Sequence, residues 1–309
     1  MMTLPRYEFE LLSWLERSGT GHWTIRELSD SLCISGNEVR ACLERMLEDG
    51  RIQQNSEGLS VTAAGLAALE PYRVKRALIV AAGFGSRMMP ATKERPKPMV
   101  TVNGVRLIDT LLDALTAAGV RDITIVRGYR KESFEELKGK YPFLSFVDND
   151  EYDTTNNISS TMKVLDLLEG GCWFCEADLY ITNPGIITKY QYASNILGSW
   201  SLQTDDWSFR MKDGYITDYR KGNTYCWNYY GISYWTPEDC RKLREDFAEV
   251  WNTPGGKDWF WEFIPLVLKK DRYRVEIRQC RKQDIMEIDN YYELVRLDPS
   301  YETGEDYAE

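Results

Sequence analysis

Residues 76–83, RALIVAAG, are apolar without alternation. A strand with one wet face shows a period of two, so this run calls for a sheet covered on both faces. The segments after it supply the covers. RLIDTLLDALTAAG reads as a helix ended by Gly119, DITIVRGY as a strand, KESFEELKGKY as a helix and LSFVDN as a strand. ISSTMKVLDLLEGG then reads as a helix and CWFCEADLYI as a strand. Strand-helix alternation predicts an α/β fold, a Rossmann-like and mostly parallel sheet with helices on both faces. Further on the pattern loosens, and Lys212-Asp213-Gly214 predicts a hairpin. A lobe over the end of the sheet, around residues 200–262, fits that change. The acidic tail YETGEDYAE is expected to be mobile.

The sheet begins late. Residues 5–18 read as a helix with Phe9, Leu11, Leu12, Trp14 and Leu15 on one side. A second helix is capped by Thr24, with Glu27 closing a capping box. A third carries Val39, Cys42, Leu43, Met46 and Leu47, and Gly50 closes it. Two short strands around Asn55–Gly58 and a short helix complete a pattern that resembles the winged helix-turn-helix of bacterial regulators. Pro71 sets the boundary, giving domains 1–72 and 73–309. Through Glu70 there are six Lys/Arg against eleven Asp/Glu, a poor match to a phosphate backbone. Residues 1–70 are therefore read as a regulatory or dimerising module in preference to a DNA binder, and a homodimer is left open.

Composition narrows the chemistry. A net charge of −10 disfavours phosphate-rich partners, and no apolar run is long enough to span a bilayer, so a cytoplasmic location is expected. Seven scattered cysteines fit reduced thiols, and Cys172 and Cys175 lie in a strand-like run that favours a buried structural role. The single histidine, His22, rules out imidazole triads and His-rich zinc sites.

The loop after the first apolar strand, VAAGFGSRMMPATKERPKPM, carries the strongest signal. Gly83 and Gly85 let backbone N–H groups approach a phosphate chain. Arg87 supplies a charged fork and Lys97 a point charge, while Pro90, Pro96 and Pro98 stiffen the excursion. The Gly-Lys-Ser/Thr of a Walker loop and the third glycine of a dinucleotide loop are both missing.

The run Gly83-x-Gly85-Ser86-Arg87-Met88-x-Pro90-x-Thr92-x-x-x-Pro96-Lys97-Pro98 resembles the signature of nucleotidyltransferases that join an NTP to a phosphorylated small molecule. The resemblance covers about residues 75 to 295. FVDNDEYDTTNNISSTMKV, CEADLYI, YYGISYW and IMEIDNYYELVRL are similar to segments of bacterial CTP:phosphocholine cytidylyltransferases. It implies Mg²⁺ dependence and transfer of a cytidylyl group from CTP to phosphocholine with release of pyrophosphate. Catalytic roles fall to Arg87 and Lys97, and metal ligation to Asp178 and Asp289, with Glu287 on the same face as Asp289. Ala82, Gly83, Gly85 and Ser86 would hold the nucleotide. Asn156 and Asn157 would hold it too or else order the loop, and Glu176 shares the face of Asp178. Choline's quaternary ammonium needs aromatic faces, with a carboxylate as a further aid, and the candidates are Tyr180, Trp207, Trp227, Tyr229, Tyr230, Trp235, Trp259 and Trp261, with Asp258 and Glu262 nearby in sequence. Two rivals remain: a sugar-1-phosphate nucleotidyltransferase using UTP, dTTP or CTP, and a regulator with a nucleotidyltransferase-like sensor.

Overall fold

The computed structural model describes residues 3–302. The chain divides into two compact units, one running to Arg73 and including Tyr190–Tyr192, the other holding the remainder from Val74. The last residues of the acidic tail, 303–309, lie outside the described residues.

The first unit comprises α1 (Arg6–Ser18), α2 (Ile25–Leu32), α3 (Gly36–Glu48), β1 (Ile52–Asn55), β2 (Gly58–Val61) and α4 (Ala63–Leu69). Thr24 and Ser35 each accept a bond from the N–H three residues on, and Glu27 and Glu38 reach back, so α2 and α3 both begin on capping boxes. Phe9, Leu11, Leu12, Leu15, Leu28, Val39, Cys42 and Met46 form its core with Tyr190. Leu47, placed on the buried stripe from sequence, is 38% exposed, because the stripe turns away from the core at the end of α3. Glu8, buried in α1, is held by Arg45 at 2.6 Å and Arg51 at 2.8 Å.

The second unit runs β3 (Arg76–Ala81), β4 (Thr101–Val102), β5 (Val105–Arg106), α5 (Leu107–Ala117), β6 (Asp122–Arg127), β7 (Leu144–Asp148), α6 (Ile158–Lys163), β8 (Cys172–Glu176) and β9 (Leu179–Ile181). It continues with β10 (Asn195–Lys212), β11 (Tyr215–Trp235), α7 (Pro237–Trp251), β12 (Glu276–Gln279), β13 (Ile285–Glu287) and α8 (Tyr291–Leu297). The main sheet has the order β10-β12-β11-β8-β3-β6-β7. β8, β3, β6 and β7 are parallel neighbours, and β11 joins β8 antiparallel.

β3 explains the missing alternation. Ala77, Ile79 and Ala81 enter one hydrophobic cluster, Leu78 and Val80 the other, so both faces of the strand are core. The same alternation sends Cys172 and Cys175 of β8 into opposite clusters, which makes them packing residues rather than a chelating pair.

Three segments differ from the sequence reading. Residues 131–139 wind as a 3₁₀ helix, and ISSTMKVLDLLEGG stops as α-helix at Lys163, continuing as one 3₁₀ turn before Gly170 and Gly171, both at positive φ. CWFCEADLYI is two strands. β9 leaves the main sheet to pair with β13, which breaks the run at Ala177–Asp178.

Ile79, at the middle of β3 and fully buried, tests this architecture. Ile79→Ala is expected to lower the unfolding free energy by about 2–5 kcal/mol in urea titration. A loss below about 1 kcal/mol would mean that the site repacks freely.

Candidate active site

A cleft of about 550 Å³ opens where β3 and β8 end and α6 begins. That edge is where parallel α/β sheets hold ligands. The loop after β3 forms one wall. Gly85 adopts a left-handed backbone, φ +62°, and a Cβ there would meet the Lys97 Cβ at 2.8 Å. A Cβ on Gly83 would enter open space, so its absence leaves room at the wall. Thr92 Oγ1 donates to the Gly85 carbonyl at 2.9 Å, pinning the loop from below.

The strand break builds the acidic centre. β9 and β13 pair antiparallel with Glu287 opposite Leu179, so Asp178 lies beside the end of β13. Carboxylate oxygens of Asp178, Glu287 and Asp289 all come within 4.8 Å of one another. Lys97 Nζ donates to Asp178 Oδ2 at 3.0 Å and to Asp289 Oδ1 at 3.3 Å. Arg87 forks onto Asp289, 3.1 and 3.0 Å to its two oxygens. Burial alone would lower the Lys97 pKa, but Asp178, Asp289 and Glu287 outweigh it and hold the ammonium charged. Glu287 goes the other way: burial and the neighbouring Asp178 and Asp289 push it well above the usual carboxylate range, with Lys97 opposing.

These residues fit a hard divalent cation. Three carboxylates offer only oxygen ligands, the preference of Mg²⁺. Asp178 Oδ1 is buried with no hydrogen-bond partner among the described residues, a lone pair a cation would satisfy.

Next to this centre lies a second acidic pair in an aromatic wall. Glu176 Oε1 accepts from Trp261 Nε1 at 3.1 Å and from the Tyr229 hydroxyl at 3.3 Å. Tyr219 donates to Glu262 Oε1 at 3.2 Å, while Glu262 Oε2 is buried and unpartnered among the described residues. Gly231 makes room for the pair: a Cβ there would stand 2.2 Å from Glu176 Oε2. Trp207 stacks on Tyr219 at 5.0 Å and meets Phe263 edge-on at 5.3 Å, and Tyr219 meets Tyr229 at 5.4 Å. Burial raises Glu176 well above its ordinary range, with Glu262 and Asp178 adding to the effect. Burial also raises Glu262, to about 7, against bonds from its own backbone, Tyr219 and Asn157.

Ala82, Gly83, Gly85, Ser86, Arg87, Lys97, Asn156, Asn157 and Asp178 all line the cleft. Asp289 reaches it through Lys97 and Arg87. The two asparagines also hold chain to chain: Asn156 Nδ2 donates to the Asp258 carbonyl, and Asn157 Oδ1 accepts from Trp261 N–H. Trp207, Tyr229 and Glu262 belong to the aromatic wall. Trp259 stacks on its Phe263 at 5.6 Å, while Phe260 lines the cleft.

Of the acceptor candidates, Tyr180 falls elsewhere. Leu179 and Ile181 of β9 face the core, so Tyr180 points to the opposite side and packs with Met88, Val100 and Ile288. Trp227 packs against the same cluster as Trp207 and Tyr229, opposite Phe209, and also meets Trp200 edge-on at 5.6 Å. Glu176 and Glu287 prove more central than their spacing suggests, Trp261 is the candidate aromatic that bonds Glu176, and Tyr219 is a residue the sequence does not single out. Strand spacing pointed to both glutamates, two residues from Asp178 and Asp289. No spacing signal pointed to Tyr219.

Residues 76–163 match the Nucleotidyl transferase family model. The chain is 37% identical over 230 residues to 2-aminoethylphosphonate cytidylyltransferase of Lancefieldella rimae, covering 73% of this chain and 92% of that protein. It is 28% identical over 235 residues to choline-phosphate cytidylyltransferase of Haemophilus influenzae, covering 73% and 99%. The solved CTP:phosphocholine cytidylyltransferase of Streptococcus pneumoniae superposes with a TM-score of 0.67 at 27% identity, over 74% of this chain and all of that one.

The buried acids make stability depend on pH. With a folded pKa of about 7 against an ordinary 4.5, Glu262 keeps its proton across that window while the unfolded chain has lost its own. The folded state binds more protons there, so its contribution to stability falls as pH rises from 4.5 towards 7 and is flat above. Glu176 and Glu287 act in the same direction. Urea titrations without ligand between pH 5 and 8 are expected to show a shallower decline in Glu262→Gln, and an unchanged slope would refute the raised pKa.

Proposed function

The chain belongs to the nucleotidyltransferase family, and from that we propose that it transfers a cytidylyl group from CTP to a small amine bearing a phosphonate or phosphate, best fitted by 2-aminoethylphosphonate. One observation carries the choice of acceptor. The buried Glu262 Oε2 has no hydrogen-bond partner among the described residues, and it stands in the aromatic wall close to Glu176, which lines the cleft. A primary ammonium brings N–H donors and a positive charge to that oxygen, and burial makes both valuable. A trimethylammonium group has no N–H to give. The relative named for 2-aminoethylphosphonate is also more similar than the two named for choline phosphate, 37% against 28%.

In the proposed reaction a phosphonate oxygen attacks the α-phosphorus of CTP. A new P–O bond forms, the bond to the β-phosphate bridge breaks, and pyrophosphate leaves with the electron pair. The nucleophile is already an anion, so no general base is needed, in keeping with a chain that has one histidine. The barrier is electrostatic, the approach of two anions and charge building on the leaving group. In this reading Arg87 takes the leaving phosphates and Lys97 the reacting ones. Asp178, Glu287 and Asp289 would hold Mg²⁺, which when bound supplies Lewis-acid charge to the phosphate oxygens. The loop glycines admit the triphosphate, and Glu176 and Glu262 anchor the amine so that the phosphonate faces the α-phosphorus.

The aromatic wall favours phosphocholine as the second reading, since ring faces attract quaternary ammonium. The N-terminal unit is proposed to be a winged-helix module that regulates or dimerises the enzyme. A specific shift of a neighbouring promoter fragment at physiological salt would restore DNA binding instead.

Pyrophosphate release with Mg²⁺, crossing four NTPs with 2-aminoethylphosphonate, phosphocholine and hexose-1-phosphates, tests the reading. The highest kcat/KM is expected for CTP with 2-aminoethylphosphonate. Preference for phosphocholine would select the second reading, and turnover of hexose-1-phosphates alone would sink both. Glu262→Gln should raise the acceptor KM about 10- to 100-fold, the worth of one buried charge-assisted bond, and leave the CTP KM nearly unchanged. Asp178→Asn is expected to lower kcat at least about 100-fold with the circular dichroism spectrum intact, as for loss of a metal ligand; undiminished turnover would remove its role.

A further inference from the structure

We infer that Asp289 has a second role besides ligation: in the cation-free chain it holds Arg87 and Lys97 off the phosphate site, so triphosphate binding waits until a divalent cation engages Asp289. The inference rests on the nucleotidyltransferase reading and adds an order of events to it.

Asp289 Oδ1 accepts from both Arg87 and Lys97, and Oδ2 accepts the other arm of the Arg87 fork. Both cations of the loop wall thus converge on one carboxylate. The side chain of Arg87 is 68% exposed, and Asp289 is its ion-pair partner among the described residues. An exposed pair of this kind exchanges easily. The Asp289 main chain is fixed by its N–H, which donates to Glu293 Oε2 at 2.7 Å between β13 and α8, and its carboxylate is held from the buried side by Lys97. When the pair opens, the guanidinium swings and the carboxylate stays. Carboxylate oxygens committed to a divalent cation are poor acceptors for a bidentate fork, so ligation by Asp289 frees Arg87 to turn towards phosphate. Without that exchange a bare triphosphate meets three carboxylates, Asp178, Glu287 and Asp289, and two cations already engaged.

Loss of a carboxyl from the cluster could by itself favour anions, so the test needs a control from the same cluster. Glu287→Gln removes one too, yet Glu287 holds neither Arg87 nor Lys97 by a direct ion pair among the described residues. Isothermal titration of the full chain with inorganic pyrophosphate in EDTA is expected to show Asp289→Asn binding about tenfold tighter than wild type, and Glu287→Gln within about threefold of wild type. Equal gains in both variants, or no gain in a folded Asp289→Asn, would overturn the inference. Arg87→Gln gives a second check independent of Asp289 variants. It should cost little pyrophosphate affinity in EDTA, where Arg87 is already occupied, and about tenfold or more in Mg²⁺. Equal losses in the two conditions would count against the latch. Failure of the wild-type chain to bind CTP in Mg²⁺ would instead strike the nucleotidyltransferase reading.

Discussion

Three carboxylates cannot share a pocket without a counter-charge, and the catalytic unit is arranged around meeting that condition. Asp178, Glu287 and Asp289 converge only because β9 abandons the main sheet for β13. The residue that answers them, Lys97, comes from the far end of a loop more than 80 positions upstream of Asp178. The ammonium is nine-tenths covered, a position it would not keep charged without those partners. Loop, strand break and closing segment are thus held to one another by a small cluster of opposite charges.

The acceptor side follows a different rule. There the acids are stabilised by hydrogen bonds from aromatic side chains instead of by cations. Tyr229 and Trp261 serve Glu176, and Tyr219 serves Glu262. Neutral donors offset the burial of a carboxyl only in part, and both acids stay above their ordinary range, so a positive ligand would favour their ionised form. On the proposed reading, the cleft and the wall beside it suit opposite ends of one zwitterion, phosphorus near Lys97 and nitrogen near Glu262.

Much of this was legible in the order of residues because it is local. The unalternating β3, the Thr24–Glu27 capping box, the Asp213–Gly214 turn and the glycine loop each declare themselves within a few positions. Asp178 and Asp289 could be named from the segments they close. Whatever depended on strand register was hidden. The Tyr219–Glu262 bond spans 43 residues and the Trp261–Glu176 bond 85, and neither leaves a spacing signal. The contacts of Trp227 with Phe209 and Trp200 follow from the β10–β11 register and from nothing local. Tyr180 reads as a cleft residue in sequence because a two-residue strand break is invisible in an apolar run.

Gly231 carries a consequence of its own. The space its missing side chain leaves is occupied by the Glu176 carboxylate, so acceptor chemistry is written partly as an absence. Comparisons that score shared functional groups would pass over that position. Yet one methyl group there would meet the Glu176 carboxylate and force it to move, leaving Glu262 as the remaining acid of the wall. On the proposed reading, acceptor preference could then change with no new recognition residue, only the loss of a glycine.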